Sequence, residues 1–221
     1  MRDQFIHFTH SLAYRLGVAK IRLFVGQCGT HCMIHYTVRC VSPSRVSIGN
    51  RCEIRHNSVL DARSLHAKSL VISDDCRIKD NVMLATYGGT ITLENNVLIG
   101  RNSTIFGHGK VVIGKYSMIS PHCVIVSNNH VAALGETSFQ QQGFTADPII
   151  IGENVWLGSH VVVLAGTTIE PNVVVSAGTV VNSNLKTGFL YGGVPAKQIK
   201  PLESKLPQEA KVLRPNWGLF D

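Results

Sequence analysis

From Ile48 to Val181 an aliphatic residue returns at every sixth position, lapses briefly, and resumes in groups of three. The groups are Ile48, Ile54, Leu60; Ile72, Ile78, Leu84; Leu93, Ile99, Ile105; Ile113, Ile119, Ile125; Ile151, Leu157, Val163; and Ile169, Val175, Val181. Three hexads make one turn of a triangular coil, with a short strand on each side and one inward aliphatic per strand. A second pattern keeps the same register. Four positions after the aliphatic stands a small or β-branched residue, as at Cys52, Ser58, Ser64, Cys76, Val82, Val97, Ser103, Ser117, Cys123, Val155, Val161, Thr167, Val173 and Thr179. A narrow prism has room for one large and one small side chain per side, so alternating sizes are what dense packing requires.

The beat is broken at 66 to 71, 90 to 92, 111 to 112 and 131 to 150, each time after the third hexad of a coil. All four insertions therefore leave from one edge of the prism. Three are stubs. The fourth is a long, mostly polar arm around Phe139 and Phe144, better explained by function than by stability. The expected organisation is an N-terminal helix and irregular capping coil over 1–45, a hexad solenoid over 46–186 with the extended loop 131–150, and a C-terminal tail over 187–221. Prolines 195, 201, 207 and 215 punctuate that tail, with room for one short helix near Glu203 to Val212.

Before the hexads, Phe5, Phe8, Leu12, Leu16 and Ala19 recur at helical spacings of three and four. They predict an amphipathic lid helix, with Arg2, Arg15 and Lys20 elsewhere around it. It either caps the open end of the solenoid or docks on a membrane surface.

Composition narrows the classes. The chain has 221 residues, 44% of them hydrophobic and 16% charged, which suits one globular domain. A formal charge of +7 fits a polyanionic ligand or an anionic surface as well as a mild general bias. No apolar run reaches the roughly 18 residues that span a bilayer, and His7, His10 and Arg15 interrupt any signal-peptide core. A cytoplasmic protein is expected, with membrane contact at most peripheral at the inner face. Of six cysteines, Cys52, Cys76 and Cys123 fall in the small inward slot and read as core. Cys28, His31, Cys32, His35 and Cys40 have zinc-ligand chemistry but no common zinc spacing; packing on the first coil is the competing reading, and no metal is expected.

The arm begins at Ser127, Asn128, Asn129 and His130, and the coils resume at Pro148 with PIIIGENVWLGSHVVVLAGTTI. The run SAGTVV follows at Ser176 to Val181, and GGVPAKQIK at Gly192 to Lys200. With the hexads, these segments resemble the hexapeptide-repeat acetyltransferases, in the galactoside, maltose and polysaccharide O-acetyltransferase branch, over about residues 45 to 200. The resemblance implies an all-β, left-handed parallel β-helix, assembled as a homotrimer with acetyl-CoA in a cleft between neighbouring subunits. The handedness comes from the resemblance alone, because parallel crossovers elsewhere are nearly always right-handed.

By the same resemblance His130 stands in the place of the catalytic base. An imidazole titrates near neutrality and can take a proton from an acceptor hydroxyl as it attacks the thioester. In the hexad register Lys110 lies one coil earlier and His108 beneath Asn128. Lys110 either keeps the imidazole neutral or is a solvated edge lysine. Asn102, His108 and Asn129 are candidates for holding the acceptor. For the cofactor, Ser159 and Ala177 stack along one edge, with Gly158 and Gly178 beside them, leaving space for a slender pantetheine arm. Trp156 either flanks the cofactor or packs. Asn182 and Ser183 align with cofactor contacts, and Lys197 and Lys200 would neutralise phosphates.

The leading expectation is acetyl transfer from acetyl-CoA to a hydroxyl of a sugar or polysaccharide, with no role for nucleic acid. An aminosugar N-acetyltransferase acting on a sugar nucleotide is the nearest alternative. A non-catalytic hexad scaffold is another, although it has no use for the arm, His130 and the lysines together. The solenoid carbonic anhydrases need two histidines five residues apart, a spacing absent here.

Overall fold

The computed structural model describes residues 2–204, with side chains from Leu12 onward. One helix is followed by short strands that stack into three parallel sheets of seven, nine and seven strands, the faces of a triangular β-solenoid. Ile48, Ile54 and Leu60 sit on the first, second and third face, and each later triplet repeats that order. All eighteen hexad aliphatics are buried in one continuous core. Burying a side chain of this size contributes about 1.5–3 kcal/mol, so the column down the prism is the principal source of stability.

The small slot is equally buried and has a second duty. Where the slot holds Ser or Cys, the side chain donates to a backbone carbonyl of the next coil, as at Ser58, Ser117 and the three buried cysteines. Ser58 Oγ donates to Lys79 O at 2.9 Å and Ser117 Oγ to Gly152 O at 2.8 Å. The thiols of Cys52, Cys76 and Cys123 donate to Ser73 O, Glu94 O and Gly158 O at 3.0, 3.0 and 3.2 Å. Thiol and hydroxyl therefore fill the position interchangeably.

Two corners turn through left-handed backbone. Between the second and third faces the turning residues are Asn57, Asn81, Asn102, His122, His160 and Gly178, all with φ between 56° and 71°. Successive coils are linked there, as Asn81 N–H donates to His56 O at 2.8 Å and Gly178 N–H to Ser159 O at 2.9 Å. The third corner is less regular, with left-handed residues at Ser42, Tyr87, Gly88 and Gly166 but not in every coil. Every insertion expected from the hexads leaves there, between the third and first faces.

Three elements differ from expectation. Residues 25–45, expected as an irregular capping coil, form a regular one: strands Gln27–Cys28, Met33–Ile34 and Arg39–Val41 pair with the next coil on all three faces. Cys28, Ile34 and Cys40 are six apart, with thiols standing where later coils have aliphatics. The segment read as a tail begins with the strand Phe189–Gly192 on the second face, followed by Lys197–Pro201 antiparallel to it. The short helix expected near 203–212 lies largely outside the described residues.

The helix Arg2–Phe24 covers the first coil, but on a face rotated from the expected one. Leu12 and Leu16 are exposed, while Tyr14, Gly17 and Ile21 are buried. Gly17 decides this. A Cβ there would lie 1.8 Å from Ile34 O, so the helix backbone rests directly on the coil backbone and leaves only this orientation. Side chains at 5 and 8 fall outside the described residues. No described helix is long and apolar enough to cross a membrane.

Candidate active site

The long arm opens as an antiparallel hairpin in which Asn128–His130 pairs with Phe144–Ala146 and His130 stands opposite Phe144. The hairpin is anchored at its root, where buried Ser127 donates from Oγ to Phe106 O at 2.9 Å and accepts from Gly109 N–H at 3.1 Å. That anchoring carries His130 out from the third edge with its side chain exposed. The Phe144 ring lies between two imidazoles, its centroid 5.1 Å from that of His108 and 6.2 Å from that of His130. His108 is held below the ordinary imidazole value, chiefly by burial and further by the neighbouring His130 imidazole. Among the described residues four buried side-chain polar atoms lack a hydrogen-bond partner, and two of them, His108 Nδ1 and Asn128 Oδ1, are here. His130, His108 and Asn129 are thus gathered at one edge. Lys110 begins the strand Lys110–Ile113 on the first face with an exposed side chain.

A separate cleft of about 400 Å³ lies on the second face, lined by Ser120, Trp156, Gly158, Ser159, Val174, Val175, Ser176 and Ala177. Four residues expected at the cofactor are among them: Trp156, Gly158, Ser159 and Ala177. Gly158 is required by close approach, since a Cβ would lie 2.6 Å from Ala177 N and 3.0 Å from its Cα. Trp156 is half exposed and its indole N–H donates to Ser120 Oγ at 3.1 Å, which fixes the ring as a wall of the cleft. Gly178 follows at the corner. Lys197 and Lys200 are exposed on the antiparallel strand that extends the same face, Lys200 pairing with Leu190 and Leu190 with Val174. Lys200 also meets Glu203 at 3.8 Å.

Two expected groups are not brought together with these. Asn182 and Ser183 follow Val180–Val181 on the third face, away from the cleft within one chain. Asn102 sits at the locked second corner, accepting from Asn81 Nδ2 at 3.0 Å and 3.4 Å from His122 Nε2. There it completes a corner ladder rather than facing His130. Ser120 and Ser176 were not expected, yet they follow the inward residues Ile119 and Val175 just as Gly158 follows Leu157. Among the described residues no group of three or more His, Cys, Asp or Glu is arranged to hold a metal.

Residues 148–183, the coils that form the cleft, match the bacterial transferase hexapeptide (six repeats) family. The putative lipopolysaccharide biosynthesis O-acetyl transferase WbbJ of Escherichia coli K12 is 32% identical over 131 residues, 55% of this chain and 67% of that protein. The chain belongs to the hexapeptide-repeat acetyltransferases. Among other members of the family, galactoside O-acetyltransferase of Escherichia coli K12 is 31% identical over 121 residues, and the match spans 54% of this chain but only 58% of that protein's length. The dTDP-4-amino-4,6-dideoxy-D-glucose acyltransferase of Escherichia coli is 26% identical over 67% of this chain and 80% of its own. A variant of AntD, an N-acyltransferase from Bacillus cereus solved with dTDP and coenzyme A, superposes with a TM-score of 0.59 at 17% identity, covering 83% of this chain and 87% of that one. That likeness extends to the fold of this hexapeptide-repeat acetyltransferase.

Proposed function

We propose that the protein moves an acetyl group from acetyl-CoA to a sugar hydroxyl, with His130 as the general base. The observation that carries this reading is the exposed imidazole at the root of the long arm, paired with a cleft walled by small residues and Trp156. His130 takes the proton of the acceptor hydroxyl as its oxygen bonds to the thioester carbonyl carbon. The tetrahedral centre then collapses, the C–S bond breaks, and the imidazolium returns the proton to the departing thiolate. The cleft holds the pantetheine arm, and Lys197 and Lys200 meet the phosphates.

Within one chain the imidazole stands at the third edge and the cleft at the second. A complete site therefore forms when the hairpin of one copy faces the cleft of another, and the resemblance to the hexapeptide-repeat acetyltransferases implies that the assembly is a homotrimer. All six cysteines are free, in keeping with a reducing cytoplasm.

CoA release measured over a panel of sugar acceptors should fall about 10²–10⁴-fold in His130→Ala. Undiminished turnover removes His130 from the mechanism, and absence of acetyl-CoA binding favours a scaffold. Mixing His130→Ala chains with Gly158→Trp chains, each inactive alone, should restore part of the activity if sites are shared. The coverage of the dideoxy-aminoglucose acyltransferase supports a second reading, N-acetylation of an aminosugar. Mild alkali separates the two, since it cleaves an O-acetyl ester and leaves an amide.

A further inference from the structure

The third edge carries a feature that acetyl transfer to an arbitrary sugar does not require. The strand register stacks Asp61 on Ala85, Ala85 on Phe106 and Phe106 on Val126. Two residues further along, the same order brings Arg63, Tyr87, His108 and Asn128 into one column along the prism axis. The side chains meet in that order. The Arg63 guanidinium lies over the Tyr87 ring at 5.6 Å, and the Tyr87 centroid is 5.0 Å from His108 and 5.2 Å from Phe106. His108 then meets Phe144, and Phe144 meets His130. A ledge of edge-on and tilted ring contacts thus runs from the proposed base to a guanidinium, about 14 Å at three coil spacings.

Arg63 is fixed in place. Its Nε is 3.0 Å from both oxygens of Asp61 and its Nη2 2.6 Å from Oδ2, and the Asp61 side chain is only 3% exposed. The guanidinium itself stays in solvent, and among the described residues its Nη1 edge makes no hydrogen bond. A planar fork held by a buried carboxylate, with one face on an aromatic ring, is pre-organised for a phosphate. His66, Lys68 and Lys110 add basic residues to the strands and loops at this edge, against Asp147 near Gly109.

Building on the acetyl-transfer reading, we propose that the acceptor is a glycosyl phosphate laid along this ledge. Its reacting group is at His130, its sugar lies against Phe144 and Tyr87, and its phosphate is on Arg63. The span exceeds one pyranose ring, which suits a sugar diphosphate or a short saccharide carried on one. That chemistry comes from a free sugar nucleotide or from a lipid-linked intermediate.

Binding to the full chain is measured by calorimetry for hexose and N-acetylhexosamine methyl glycosides, their 1-phosphates, their UDP and dTDP esters, and a polyprenyl-diphosphate sugar in detergent. Some phosphorylated member should bind at least tenfold more tightly than its methyl glycoside. Asp61→Asn/Arg63→Gln, which removes both charges without leaving a buried carboxylate unpaired, should abolish that preference. Arg63→Lys, which keeps the ion pair but loses the fork, should retain part of it. The arm that binds best, nucleotide or polyprenyl, names the source. The proposal is overturned if no phosphorylated member is preferred, or if the preference survives in Asp61→Asn/Arg63→Gln. Acetyl-CoA binding by the same proteins reports the underlying reading separately. Intact CoA binding with no dependence on Arg63 removes the ledge alone, whereas no CoA binding by the unmodified protein removes the transferase reading.

Discussion

Gly158 and Gly178 lie on successive coils at the same corner, and each excludes a side chain for a different physical reason. At Gly158 the obstacle is space: a Cβ would meet backbone at 2.6 and 3.0 Å on the coil above. Neither partner is the end of a flexible side chain, so relief requires parting two coils joined by the Gly158 N–H bond to Val175 O at 2.8 Å. Overpacking of this kind costs about 1–3 kcal/mol, or roughly 2–12 °C in Tm for a domain of this size. At Gly178 there is open space within 4 Å but φ is +71°. Alanine there costs about 1–2 kcal/mol from left-handed backbone alone, and asparagine less, as it already occupies the equivalent corner at 57, 81 and 102. Thermal unfolding of Gly158→Ala, Gly158→Asn, Gly178→Ala and Gly178→Asn tests this. Asparagine should be the worse substitution at 158 and the better one at 178, and only the Gly158 variants should also weaken CoA binding by displacing Ser159 and Ala177. If asparagine fails to outperform alanine at 178, the corner is not governed by backbone conformation and the argument is wrong.

Ile99→Ala, in the middle of the aliphatic column, should lower stability by about 2–5 kcal/mol in urea unfolding, with a loss below about 1 kcal/mol indicating that the coils close over the gap. His108 has a native value below its ordinary 6.5, so the unfolded chain binds a proton that the folded one resists. Its contribution to stability is complete above pH 6.5 and erodes as pH falls from there toward the native value; His108→Gln should flatten that slope, and an unchanged slope would refute the assignment. Gly17→Ala places a methyl group against Ile34 O and should lift the helix from the first coil. Limited proteolysis should then cut within residues 12–24 while the coils stay resistant, and a protected helix would show that the contact is adjustable.

The regular part of the fold was legible because an inward position on a prism side admits a narrow range of residues, and that restriction repeats every sixth residue. The first coil was read as irregular because Cys28 and Cys40 hold the place of aliphatics. The helix face was misjudged because Leu12 and Leu16 carry the hydrophobic signal, while the contact is decided by Gly17, which carries none. At the site, Trp156, Gly158, Ser159 and Ala177 were readable because they keep the hexad phase. Ser120 and Ser176 keep it too and could have been found by the same count. Tyr87 and Arg63 keep it as well, each three places after its inward aliphatic, Leu84 and Leu60, just as His108 and Asn128 follow Ile105 and Ile125; their residue types alone drew no attention. Asn102 shows the converse: its residue type suggests chemistry, but its left-handed backbone assigns it to the corner.

The unequal corners divide the molecule into what can vary and what cannot. Lengthening the chain at the second corner would break left-handed turns and hydrogen bonds in every coil above and below, including those that shape the cleft. Lengthening it at the third edge disturbs none of them. Loop exchange at one edge can therefore leave the cleft unchanged, and under the proposed function that would make this scaffold a starting point for grafting new acceptor preferences onto one acyl source.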